Sequence, residues 1–125
     1  MRPTLCLAAA FFFAATLAQA EERAFVACDN GLRCVTAPCP STTVHALGTG
    51  RRWKGVSPDI GRLSETDQQR IRDTDALYFG RLVLRGHVEQ RMQKIAGRRQ
   101  ELPVLVVTGI LREARPAERR QCPKG

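Results

Sequence analysis

Short extended patterns alternate with turn signals along most of the chain, and one stretch has a helical pattern. Arg23 to Cys28 is a brief apolar run that stops at Asp29-Asn30-Gly31, a strong turn signal. Ser41 to Leu47 is rich in β-branched residues and predicts a strand. Gly48-Thr49-Gly50 then turns the chain, and Arg51 to Val56 predicts the return strand, with Trp53 buried on one face. Between these runs lies Cys34 to Pro40. Its two prolines exclude helix and disfavour a central strand, so it predicts a stiff, extended, exposed segment.

The helical stretch follows. Ser64 predicts an N-cap, with Asp67 at the capping-box position and Glu65 and Asp67 near the positive end of the helix. The helix runs to about Arg72, with Leu63 and Ile71 as its main apolar contacts. Two long strands complete the pattern. From Tyr78 to Met92, one face carries Tyr78, Gly80, Leu82, Leu84, Gly86, Val88 and Met92. The other carries Arg81, Val83, Arg85, His87, Glu89 and Arg91, the alternation of a half-buried strand. Gly86 predicts a bulge or a sharp bend. Gln93 to Gln100 predicts a turn region. Leu102 to Leu111 is almost continuously apolar and predicts a central strand, with Pro103 near its start and a bend at Gly109. The charged tail from Glu113 is expected to be mobile until Cys122 pins it.

This order predicts a mainly β fold with one short helix. A small OB-like five-stranded barrel, plugged by a helix between strands three and four, has the same order. The alternative is an α+β antiparallel meander with the helix on one face.

The first twenty residues read differently. Arg2 is a short positive region, Leu5 to Ala18 is apolar, and Ala18-Gln19-Ala20 has the small-x-small pattern of a cleavage site. The apolar run is shorter than the roughly 20 residues a membrane span needs. Residues 1–20 therefore predict a signal peptide cleaved after Ala20, residues 21–112 a single domain, and residues 113–125 a charged tail tied by a disulfide. The expected location is exported, in the periplasm or beyond, with no membrane span after cleavage. The 43% apolar content excludes wholesale disorder. Losing Phe11, Phe12 and Phe13 with the leader leaves few aromatics for a core.

Cleavage also removes Cys6 and leaves Cys28, Cys34, Cys39 and Cys122. Four cysteines in a short exported chain predict two disulfides, with three possible connectivities. A bond across the Asp29-Asn30-Gly31 turn favours Cys28–Cys34, which leaves Cys39 for Cys122. The spacings match neither paired zinc ligands nor a C-x-x-C redox site. His45 and His87 have no ligand residue at helical or hairpin spacing, so neither a metal nor a cofactor is expected.

The pattern from Arg33 to Leu111 resembles a group of secreted bacterial domains of unknown function. The carrying features are the Cys/Pro-rich segment Cys34 to Pro40, a strand ending Leu84-Arg85-Gly86, and a final Leu105-Val106-Val107 strand. The resemblance implies secretion and a small β-rich fold, and it transfers no catalytic residue.

Little catalytic chemistry is on offer. No serine sits in a G-x-S-x-G elbow, and Asp59, Glu65, Asp67, Asp73 and Asp75 read as helix-cap and solvated charge. The chain is strongly basic, +8 overall and +7 once Arg2 is lost. Arg81, Arg85 and Arg91 alternate onto one strand face, and Arg98 and Arg99 sit in the adjoining turn. These five are the candidate anion-binding residues, and solvation of an outer face is the plainer account of them. Export points away from nucleic acid and toward an anionic envelope component or a protein partner. A second candidate is the loop Thr36, Ala37, Pro38 and Pro40. Its rigidity suits a small disulfide-stabilised protease inhibitor, and a structural corner is the plainer account. The expectation is an exported binding or accessory module without enzymatic activity.

Overall fold

The structure is a computed structural model, and it describes residue 10, residues 21–36 and residues 39–124. Apart from residue 10, the predicted signal peptide lies outside the described residues, as do Ala37 and Pro38.

Six strands and one α-helix follow in chain order: β1 (Arg23–Asp29), β2 (Thr42–Ala46), β3 (Arg52–Lys54), β4 (Pro58–Asp59), α1 (Glu65–Arg72), β5 (Leu82–Ile95) and β6 (Arg98–Glu113). The strands form one mixed sheet in the order β3-β2-β1-β5-β6-β4. All pairings are antiparallel except the short parallel pair β4–β6. The mainly β reading with a single α-helix holds. The five-stranded OB-like barrel is not confirmed, because there are six strands and the outermost two, β3 and β4, are not hydrogen-bonded to each other. The all-antiparallel meander fails at β4–β6.

The sheet is nevertheless strongly curled. β3 and β4 lie at opposite edges, yet only Gly55, Val56 and Ser57 join them. Lys54 and Pro58 are therefore at most about 15 Å apart. Inside the curl pack Phe25, Ala27, Val44, Ala46, Leu82, Leu84, Leu105 and Val107, closed off by Leu63, Ile71 and Ala76 from α1 and its flanks. The helix starts as expected: Ser64 Oγ accepts from the Asp67 N–H at 3.2 Å.

A second, smaller cluster lies on the outer side of the sheet, where Val26, Cys28, Val83 and Cys122 are buried. Val83 was expected on a polar, wet face. That face is covered because the tail folds back over it, through a 3-10 turn at Pro116–Arg119. The tail is thus a built element. Arg112 donates to both Glu118 oxygens (2.6 and 2.8 Å), and the Arg115 N–H donates to Glu118 at 2.9 Å. Together these hold the Glu118 carboxyl down to about 2.

The preferred cysteine pairing is corrected. Cys28 bonds Cys122, 94 positions away, and Cys34 bonds Cys39, five positions away. Cys28 sits inside β1, which continues to Asp29, so it cannot bend back toward Cys34. Its side chain shares the outer face with Val26 and meets the tail there. Gly80, at φ +65°, leaves room for this bond, since a Cβ there would run into the Cys122 sulfur.

The last two strands also differ from expectation. Tyr78–Gly80 is a turn, and β5 begins at Leu82. The register shifts beside Gly86, as the bulge reading requires. A Cβ on Gly86 would collide with the Val106 carbonyl oxygen. The long turn expected over Gln93 to Gln100 is instead strand, and only Ala96 and Gly97, both at positive φ, make the reversal.

Candidate functional site

The late turn converts β5 and β6 into a projecting hairpin arm. β1 flanks β5 only at Leu84, Arg85 and Gly86, and β4 flanks β6 only at Leu105 and Val106. Beyond those positions the pair runs to Ile95 and Arg98 with no strand on either side among the described residues. From His87 to Ile95 this is roughly 27 Å of two-stranded ribbon. Such a ribbon is marginal alone, and a charged latch at Arg91, halfway along it, restrains it. Arg91 donates to Asp59 Oδ2 and to Glu89 Oε1, each at 2.7 Å. Asp59 also accepts from the Gly61 N–H at 2.9 Å. The Gly61 bond and then Arg91 hold Asp59 below the usual carboxylate range, and Arg91 does the same for Glu89.

The arm, the Gly55–Ser57 crossing and the end of the disulfide loop enclose a cleft of about 920 Å³. Cys39, Pro40 and Val56 line it, and from the arm Met92, Lys94, Leu102 and Val104 do so along the β6 edge. Met92 is 57% exposed in it. Among the described residues, Lys54, Lys94, Arg98 and Arg99 have no carboxylate within salt-bridge distance.

The five arginines of the expected anion surface do not form one face. Arg81 stacks over Phe79, 4.7 Å from the ring centroid. Arg85 lies over Gly109 and donates to Thr108 Oγ1 and the Thr108 carbonyl. Arg91 is spent on the latch. Arg98 and Arg99 alone stay open, at the arm tip and on opposite faces of it. Lys54 and Lys94 are the cations that sequence reasoning missed. Lys94 had been assigned to a turn, and strand parity through to Ile95 was the signal that would have found it.

In the disulfide loop, Val35 is fully exposed and Thr36 exposed, while Pro40 packs toward Gly55. Asp29 and Asn30 fix the approach to the loop: the Gly31 N–H donates to Asp29 Oδ2 and the Leu32 N–H to Asn30 Oδ1.

The two histidines occupy unlike places. His87 lies between Glu22 and Glu89, with 3.6 Å from Nδ1 to Glu22 and from Nε2 to Glu89. Its buried Nδ1 lacks a hydrogen-bond partner. His45 lies with Cys28 and Cys122 in one cluster whose donor atoms are within 4.8 Å of one another. Burial, then Arg52, pushes its imidazole down. With both sulfurs in a disulfide, no thiolate is available there to ligate a metal.

Among the described residues no helix is long and apolar enough to cross a membrane. Comparison with curated proteins and with solved structures finds no match. One family model does match, over residues 3–107, and it takes in the helix, the arm, the cleft and the sheet up to Val107 in β6, but stops short of Cys122. The chain therefore belongs to DUF6748, a domain of unknown function.

Proposed function

We propose that this is an exported, non-catalytic binding module that takes an anionic component of the cell envelope in the cleft between the disulfide loop and the arm. The observation that carries the reading is the cleft itself, about 920 Å³ with Lys54 and Lys94 in its walls and neither cation paired. Two disulfides suit an oxidising compartment. Strand order adds support. If β3 and β4 are two halves of one strand, the pairing is that of an OB-type barrel whose third strand is broken at Gly55–Ser57. OB barrels bind along strands two and three, between the loop joining strands one and two and the loop joining strands four and five. Here those two loops are Asn30–Ser41 and the arm, which flank the cleft.

The test uses the chain from Glu21 with both disulfides intact, titrated with polyphosphate and with vesicles of anionic phospholipid. Affinity for at least one should fall at least tenfold between low and physiological salt. Lys54→Ala with Lys94→Ala should weaken it further at low salt. Binding that ignores salt, or that survives the double substitution unchanged, removes the reading.

A second reading, a small protease inhibitor, rests on Val35, held fully exposed in the ring that Cys34–Cys39 closes. A preorganised loop lowers the entropy cost of docking to a protease. Proteases that accept an aliphatic side chain should then be inhibited, and Val35→Asp should abolish the effect.

A further inference from the structure

The geometry points to an extended peptide of alternating acidic and apolar residues as the occupant of the cleft, added as a strand to the free edge of β6. This rests on the cleft being a binding site and names its partner.

The first ground is the unpaired edge. β4 covers β6 only at Leu105 and Val106, and Gly55–Ser57 then leave the sheet toward β3. Gln100, Leu102, Pro103 and Val104 line the cleft, and among the described residues no strand lies on their outer side. A free edge presents a row of backbone N–H and C=O groups, and another extended backbone is what matches that row. Pro103 has no N–H, so the usable run is Arg98 to Leu102. The open slot continues the line of β4, and the Pro40 and Gly55–Ser57 wall closes its far side.

The second ground is the charge on each face. Residues directly opposite in an antiparallel pair share a face. Met92 and Glu101 therefore share one face with Lys94 and Arg99, and Leu102, Gln100, Arg98 and Ile95 occupy the other. An added strand would show alternate side chains to these two faces. Acidic side chains meet Lys94 and Arg99 on the first, with Lys54 across the cleft. Apolar side chains meet Leu102 and Ile95 on the second. The carboxylates nearby are Asp59 and Glu89, both committed to Arg91, and Glu101, which faces a ligand on the cationic side. Glu101 therefore disfavours an acidic residue directly opposite it. It also makes self-pairing of two arms about that position unfavourable, since Glu101 would meet its own copy.

The test compares three probes on the disulfide-intact chain: an alternating Glu/Val peptide, the same peptide N-methylated at every second residue, and polyphosphate. The unmodified peptide should bind. It should slow hydrogen exchange of amides within Arg98–Leu102, and N-methylation should weaken it at least tenfold. Lys94→Ala with Arg99→Ala, both at exposed arm positions, should weaken the peptide at least fivefold. Equal binding of the N-methylated peptide, or protection that maps elsewhere, overturns strand addition. Polyphosphate binding without peptide binding overturns the peptide and leaves the anion reading standing. If neither binds, both fall.

Discussion

The curled body and the projecting arm are made from the same two strands, yet different forces hold them. Within the body, Leu84 on β5 and Leu105, Val106 and Val107 on β6 are fully buried. Nine residues farther along β5 from Val83, Met92 is mostly exposed, and Lys94 is exposed too. Burial at about 25 cal/mol per Å² therefore acts mainly on the first half of the hairpin. The second half depends on cross-strand hydrogen bonds, a two-residue turn and the Arg91 latch. Local stability should follow this division, with the arm at the low end, where binding elements are commonly found.

The largest expected contrast is between the disulfides. Removing the long bridge with Cys28→Ala and Cys122→Ala should lower unfolding free energy by about 4–5 kcal/mol, as closure of a loop of that length implies. Removing the short bridge with Cys34→Ala and Cys39→Ala should cost about 2 kcal/mol by the same relation. Urea denaturation checks both, and equal losses would break the comparison. Next in size come two leucines on the same hairpin. Leu84→Ala should cost about 2–5 kcal/mol, whereas Leu102→Ala on the arm should stay within about 1 kcal/mol.

Smaller still is the latch. Arg91→Ala should leave the melting temperature nearly unchanged while speeding amide exchange along Val88–Ile95 and Gln100–Val104. The latch also has a pH signature. Asp59 and Glu89 are held below their ordinary values, so their contribution is present above about pH 4 and fades as pH falls through the lowered values. Arm exchange should accelerate in acid before the body unfolds, and this step should vanish in Arg91→Ala. The tail gives the finest probe. The Glu118 carboxyl, held down to about 2 by Arg112 and the Arg115 N–H, should keep its bonds to Arg112 until the pH falls to about that value. Glu118→Gln should loosen Ala114–Arg119 without altering arm exchange.

Features set by neighbours in sequence were legible without the structure. The Ser64 cap, the Gly86 bulge and the strands at Arg23–Cys28 and Ser41–Leu47 depend on adjacent residues. What escaped depended on partners far along the chain. β1 is apolar on both faces (Phe25 and Ala27 inward, Val26 and Cys28 outward), which requires a cover on each side. The outer cover is the tail, whose own sequence is charged and looks solvated. The same omission placed Val83 in water and Cys28 beside the wrong cysteine. The outer part of the arm, read as a turn from Gln93 to Gln100, was missed for the opposite reason. Its polar residues resemble a loop, because they carry no apolar stripe to report a strand period. The cleft depends on a three-residue crossing between opposite sheet edges, and no local pattern marks that.

The long bridge also sets a timetable. Cys28, Cys34 and Cys39 emerge early, and only two of those three are native partners. Cys122 follows after nearly all of the remaining chain. An oxidant acting on the nascent chain can make the Cys34–Cys39 bond at once, but a Cys28 thiol oxidised early can join only a wrong partner. Correct maturation therefore requires Cys28 to stay reduced until β5 and β6 have formed, or a disulfide-exchange step that releases it.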